Sequence, residues 1–473
     1  MTKIPVATAV IDIGKTNSRM AILDRNSGEL LNLWKREWNG SNEGTNQFLD
    51  VEGVESWILV CLKDASKLAQ IQSVIPVTHG AAAALVTGDD LVFPVLDYEW
   101  DGYEDLDDQY STVRPPFAET YSPSLPAGLN LGKQLFWIQE TQPDEFRKAE
   151  AILTYPQYWS WVLSGVPAGE VTSLGCHTDL WAPVEHSFSS LVDRMGWRSK
   201  FPEVRPTGHF LGDVRPEIGE ATGLPEDCQI LNGVHDSNAS LVPYLQRPDV
   251  ERAIVLSTGT WVVGFNLGDR RLDALDEARD CLANVDVNGQ PVPSCRFMGG
   301  REFAVITEGG DPRCDWEDAE QVLKMQSIPY PTFAPGSGPF PTAKPNLPDG
   351  WEHLSERQRS AAASLYLAFV GYEMVTILGG SQQRIYVEGA LTQNEVYAIA
   401  LANLSGCPVE ITEDRQELSL ALISSPAEQW KARRVLPWFR EVVLKVFVLP
   451  STNGSRNHRR LCDFSVLIKA VNI

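Results

Sequence analysis

One pattern occurs twice in this chain of 473 residues: an apolar run, a turn of small and hydroxyl residues, and a second apolar run. It spans Ala9–Asp24 and again Ala253–Leu267, and setting Gly14 on Gly259 aligns the two copies 245 residues apart. Two apolar runs joined by a short Gly-containing turn predict a β-hairpin. The turn of such a hairpin gathers backbone N–H groups into a concave nest suited to phosphate oxygens. A chain of this length exceeds one ordinary core, so two domains with a cleft between them are expected, one hairpin in each.

Composition narrows the classes. Hydrophobic residues make up 43%, enough for two cores, and no apolar run reaches the ~18–20 residues of a membrane span. MTKIPVATAV leads straight into a strand without a signal-peptide pattern. The eight cysteines (61, 176, 228, 281, 295, 314, 407, 462) show no C-x-x-C and no Cys/His pair at zinc spacing, which fits reduced thiols in a cytoplasmic protein. A net charge of −22 disfavours nucleic acid or an anionic membrane as partner. A homodimer is left open.

Strand and helix signals alternate, which argues an α/β class. Helices are expected over Val54–Gln70, Phe146–Leu163, Ser189–Met195 and Glu356–Leu378, and strands over Ile71–Thr78, Ile230–Val234 and Arg384–Val387. Residues 97–108, DYEWDGYEDLDD, fit either a solvated loop or one lining a small-molecule site. Ile328–Pro345 is too rich in Pro for helix or central strand. A break near Leu245–Val250 sets the domain boundary, giving 1–246, 247–420 and a remainder, 421–473.

Three segments carry chemistry. In VIDIGKTNSR (10–19), Asp12 ends a buried strand beside a turn, where a carboxylate is costly unless solvated or bound to a cation. It is a natural holder of Mg²⁺ through water, with Gly14, Lys15, Thr16 and Asn17 supplying turn donors. In GVHDSNAS (233–240), Asp236 follows an apolar strand and fits the residue that orients a hydroxyl and accepts its proton in phosphoryl transfer; a helix N-cap explains it as well. VLSTGTW (255–261) offers Thr258, Gly259 and Thr260 to phosphate, or is a bare hairpin turn.

The three in this order resemble the FGGY family of carbohydrate kinases from about residue 6 to 416. The resemblance implies a two-domain actin-like, ribonuclease H-like ATPase fold with an interdomain cleft, and ATP and Mg²⁺ as cofactors. It implies phosphate binding by Gly14, Lys15, Thr16, Asn17, Arg19, Thr258, Gly259 and Thr260, and Asp236 as catalytic base. THGAA (78–82) is similar to the family's substrate segment, so His79, Gly80 and Ala81, with Tyr98, His235 and Asp236, are expected at the sugar. EGALTQN (388–394) stands at the adenosine loop, giving Gly389, Ala390 and Asn394, with Ala390 in place of a glycine. HDSNAS and STGTW are closer to the rhamnulose and fuculose branch, so the expected substrate is a ketose or deoxyketose. The chain departs from the family after residue 418. Residues 421–473 hold nine Lys/Arg against three Asp/Glu and read either as an atypical tail, frameshifted or otherwise altered and lacking the family's closing helix, or as a basic tail for an acidic partner. The alternative is a catalytically impaired sugar- or nucleotide-binding pseudokinase.

Overall fold

The computed structural model describes residues 4–15, 17–37, 47–248, 250–310, 313–380 and 383–412, and the backbone of a strand at 428–430. Thr16 and nearly all of the tail lie outside the described residues. Packing divides the chain into two compact units. The first runs to Ala253 and includes Phe265–Ser294; the second comprises Ile254–Gly264 and the described residues from Cys295 on.

In the first unit β1 (Val6–Ile13), β2 (Asn17–Asp24) and β3 (Leu30–Glu37) form an antiparallel meander, and β4 (Gln70–Thr78) lies parallel to β1. A small sheet is built from β5 (Ala83–Thr87), β6 (Asp90–Phe93) and β7 (Ala151–Thr154), and β8 (Trp181–Ala182) pairs with β9 (Ser187–Phe188). β10 (Phe210–Asp213) and β11 (Gln229–Leu231) complete the main sheet in the order β10-β11-β4-β1-β2-β3, with β12 (Val234–His235) also on β4. Strand alternation puts Ile11 and Ile13 into the core with Ile58 and Leu62, while Val10 packs on the other face with Ile75, Val77 and Val234. Ile58 and Leu62 belong to the helix Val51–Ala65, whose buried positions 54, 58, 61, 62 and 65 form one helical stripe. That helix begins three residues earlier than the sequence predicts because Asp50 caps it by accepting the Gly53 N–H at 2.9 Å, and it ends five residues earlier, at Ala65.

The predicted single helix over Phe146–Leu163 is divided. Pro143–Lys148 and Tyr155–Ser164 are helical, and β7 between them pairs antiparallel with β5, Ala83 opposite Thr154 and Val86 opposite Ala151. The apolar run AILT satisfies a helical stripe and a buried strand equally, and tertiary pairing decides between them. Pro156 sits in the first turn of the second helix, where it costs no hydrogen bond.

The second sheet contains β13 (Ala253–Thr258), β14 (Val262–Asn266), β15 (Cys281–Val285), β16 (Pro291–Phe297), β17 (Arg384–Gly389), β18 (Val409–Ile411) and β19 (Glu428–Trp430), in the order β15-β16-β14-β13-β17-β18-β19. This repeats the first. β13, like β1, stands between its hairpin partner and a later strand, β17 is parallel to β18 as β4 is to β11, and an antiparallel strand, β19 or β10, closes each edge. The helix Glu356–Ile377 starts at a capping box in which Ser355 and Gln358 bond each other's backbone N–H. It is the one helix among the described residues long and apolar enough to cross a membrane, yet 83% of its most apolar window is buried inside the protein, as a core helix would be.

Candidate active site

The turn of the first hairpin follows Ile13. The Gly14 N–H donates to the Asn17 carbonyl at 3.0 Å, and a Cβ on Gly14 would lie 3.0 Å from that oxygen. Asp12 stands directly opposite Arg19 across the β1/β2 ladder, both half-buried. Lys15 is held by the acidic, aromatic run. Its ammonium bonds both carboxylate oxygens of buried Asp97, lies 3.5 Å from Glu99 and sits 4.9 Å over the Tyr98 ring. The cation expected at phosphate is thus engaged by the acidic, aromatic run. That run is only partly a solvated loop: Asp97 and Tyr103 are buried, and from Glu104 it turns helical.

A pocket in the first unit is lined by Ile13, Gly14, Lys15, Arg36, Asp50, His79, Asp97 and Tyr155, among others. His79 directly follows β4, and its N–H donates to the Ile13 carbonyl at 2.9 Å. Its ring lies 4.9 Å from Tyr155 and 5.6 Å from Tyr98. Nδ1–H donates to the Gly80 carbonyl at 2.8 Å, so Nε2 is the acceptor nitrogen. Burial holds its pKa below the ordinary histidine value, which keeps the ring neutral. Ala81 adopts a left-handed φ of 53°, and its carbonyl is held by Gln134 Nε2 at 2.6 Å.

Asp236 begins the short helix Asp236–Ala239, and the N-cap position is His235, whose side chain makes no capping bond. Its side chain is 37% exposed. Oδ1 accepts from the Ser237 N–H at 2.5 Å, from Ser237 Oγ at 3.2 Å, and faces Nε2 of His235 at 3.3 Å. The His235 ring is buried, and a Cβ on Gly80 would come within 2.8 Å of Nε2. His235, expected at the sugar, is packed behind Asp236. Below it, the His235 N–H donates to Thr172 Oγ1, which donates to buried Glu170; Thr207 donates to the other Glu170 oxygen.

In the second hairpin the Gly259 N–H donates to the Trp261 carbonyl at 2.8 Å, and Thr260 is exposed. Thr258 is buried; its hydroxyl donates to the Glu388 carbonyl and accepts from the Leu391 N–H at 3.0 Å. Its one proton is spent tying the hairpin to the 389–391 turn, so its side chain gives phosphate no donor here. Gly389 has φ 84° and a Cβ there would sit 2.0 Å from the Thr258 carbonyl oxygen. Ala390 is exposed. Asn394 caps the helix Glu395–Ser405 by accepting the Tyr397 N–H, and donates to Ser364 Oγ at 2.7 Å. Its amide thus ties the start of that helix to Ser364. Among the described residues no three His, Cys, Asp or Glu side chains converge to form a metal cage. Mg²⁺ typically takes one or two carboxylates plus water and substrate phosphate, which the single half-buried Asp12 beside the turn fits.

Two family patterns cover most of the chain: the FGGY family of carbohydrate kinases, N-terminal domain, over 127–243, and carbohydrate kinase FGGY, C-terminal domain, over 250–433. The crystal structure of a carbohydrate kinase from Novosphingobium aromaticivorans is 36% identical, with TM-score 0.85 over 94% of this chain and 99% of that one. The chain belongs to the FGGY family of carbohydrate kinases. The FGGY fold extends to distant structures: ligand-bound xylulose kinase from Lactobacillus acidophilus is 13% identical with TM-score 0.75, covering 93% of this chain and 96% of that one. Rhamnulokinases from Oceanobacillus iheyensis and Halalkalibacterium halodurans are each 29% identical over 129 residues; the match spans 27% of this chain and 27% of each relative's length.

For this FGGY chain the sequence did not single out Tyr155, Asn238 or the Arg36–Asp50 pair, joined at 2.7 Å, and included Asp97 only within the 97–108 run. Asp97 opens the acidic run directly after an apolar stretch, and Asn238 stands three residues after His235 at helical spacing, so both left a local signal. Arg36, Asp50 and Tyr155 reach the pocket only through tertiary folding.

Proposed function

We propose that this FGGY protein is a cytoplasmic enzyme that transfers the γ-phosphoryl group of ATP to a hydroxyl of a small ketose or deoxyketose, such as L-rhamnulose or L-fuculose. The O–P bond to the sugar forms as the bond to ADP breaks, and the hydroxyl proton passes to Asp236. The observation that carries this is the Asp236 carboxylate: one oxygen gathers donors while the side chain stays partly open. His79 supports it, since Nε2 can accept from a sugar hydroxyl, and the rhamnulokinase relatives favour the deoxyketose class. Mg²⁺ would be held through water by Asp12 and would neutralise phosphate charge; Gly14, Asn17, Gly259 and Thr260 would meet phosphate oxygens. Since the transition state of phosphoryl transfer is loose, positioning and charge neutralisation should do most of the work.

The test is a coupled ADP-release screen over ketoses and polyols, repeated with Asp236→Asn. Turnover should fall on the order of 10²–10⁴-fold with ATP affinity nearly unchanged. Turnover within threefold of wild type would end the assignment of Asp236.

A further inference from the structure

The floor of the site contains a chain of polar groups that the proposed reaction does not itself require. Asn238 is fully buried, with Nδ2 2.9 Å from His235 Nδ1 and 3.4 Å from the Thr172 carbonyl oxygen. A carbonyl only accepts, so the orientation that bonds Thr172 turns the amide nitrogen toward both Thr172 and His235, with the buried Oδ1 making no hydrogen bond. An amide N–H aimed at Nδ1 requires a lone pair there, so the single proton of the neutral ring sits on Nε2. Nε2 in turn faces Oδ1 of Asp236 at 3.3 Å. The opposite tautomer would set two N–H groups against each other and a ring lone pair against a carboxylate.

We infer that Asn238 is a positioning residue: it locks His235 as the Nε2–H tautomer, whose N–H helps fix Oδ1 of Asp236 and leaves Oδ2 for the sugar hydroxyl. The inference rests on Asp236 being the base. Three donors then converge on Oδ1, the Ser237 N–H, the Ser237 hydroxyl and His235 Nε2–H, and together they set the rotation of the carboxylate. The ring cannot swing away easily. Gly80 packs on its Nε2 edge, and its backbone N–H is anchored through Thr172 to buried Glu170. Burial lowers the His235 pKa, so the lock holds a neutral ring rather than an imidazolium.

The experiment is ¹⁵N NMR of the histidine side chains in the full chain, with His235 assigned by the signals lost in His235→Gln. Wild type should show the Nε2–H tautomer. Asn238→Asp puts an acceptor-only group against Nδ1 and should move the proton there, giving Nδ1–H or the doubly protonated ring. Its kcat should fall roughly 10–100-fold, the scale of a misplaced reacting group, with sugar and ATP KM within about threefold. An Nδ1–H wild type overturns the lock whether or not the variants fold. So does Asn238→Asp with unchanged tautomer or kcat. A wild type that shows Nε2–H yet phosphorylates no sugar removes the kinase reading instead.

Discussion

His79 and His235 carry their protons on opposite nitrogens, and in each case a backbone carbonyl decides it: Gly80 directly for His79, Thr172 through Asn238 for His235. One ring thus presents an acceptor and the other a donor, a division of labour that residue type alone does not reveal. Gly80 stands between them. Its backbone lies in an ordinary region, so the need for glycine is purely steric: a Cβ would be 2.8 Å from Nε2 and 3.1 Å from Cδ2 of His235. Gly80→Ala should push the ring off Asp236 and lower kcat about tenfold or more, with nucleotide affinity unchanged. Steady-state kinetics beside ATP titration calorimetry checks this; an equal loss of nucleotide binding would mean general misfolding.

At the scale of elements, the two hairpins and the strands leading to His79 and His235 were legible in the sequence because apolar runs and Gly-containing turns are local signals. What they lean on was not. The sequence does not show that Lys15 bonds Asp97, that Thr258 bonds Glu388 and Leu391, or that Asn394 bonds Tyr397 and Ser364, and β7 reads as helix until β5 pairs with it. The Thr258 tie gives Gly389 its importance. Gly389→Ala would force a left-handed φ on a residue with a Cβ 2.0 Å from a carbonyl oxygen, a change that should cost at least ~2 kcal/mol. Urea unfolding should show that loss, and nucleotide binding should weaken while sugar binding measured without nucleotide survives.

Asp50 couples a helix cap to the pocket wall. The Arg36 guanidinium, and then the Gly53 N–H, hold its carboxyl below the usual carboxylate value. A pKa depressed on folding stabilises the protein above the unfolded value near ~4 and loses that contribution as pH falls through the folded value. Asn still caps, so Asp50→Asn removes mainly the ion pair. The partly exposed pair should be worth no more than ~1 kcal/mol at pH 7. The gap between variant and wild type should close at pH well below 4, when Asp50 is itself neutral. Paired urea midpoints at the two pH values check this, and a gap that persists in acid would assign the effect to the cap.

The whole molecule is one sheet plan used twice, and the second use draws on residues 428–430, within the basic tail. β19 pairs with β18 through Ile411 opposite Glu428, Glu410 opposite Gln429 and Val409 opposite Trp430, the place that β10 takes in the first sheet. The C-terminal family pattern also continues to 433. The family pattern thus reaches thirteen residues beyond 420, into the tail. Beyond the pattern lie Val442–Val448, VVLKVFV, strand-forming and nearly uncharged, the composition of an aggregation-prone segment. Two truncations separate the parts. A chain ending at Arg433 keeps β19 and loses that segment, so it should match the full chain in unfolding midpoint and kcat and remain soluble at higher concentration. A chain ending at Thr412 leaves the outer edge of β18 unpaired, and an open edge strand templates association; it should unfold several degrees lower and scatter light on standing. Equal stability of the two truncations would show that the β18–β19 ladder contributes nothing. Loss of activity in the 1–433 chain alone would assign residues 434–473 a part in the reaction.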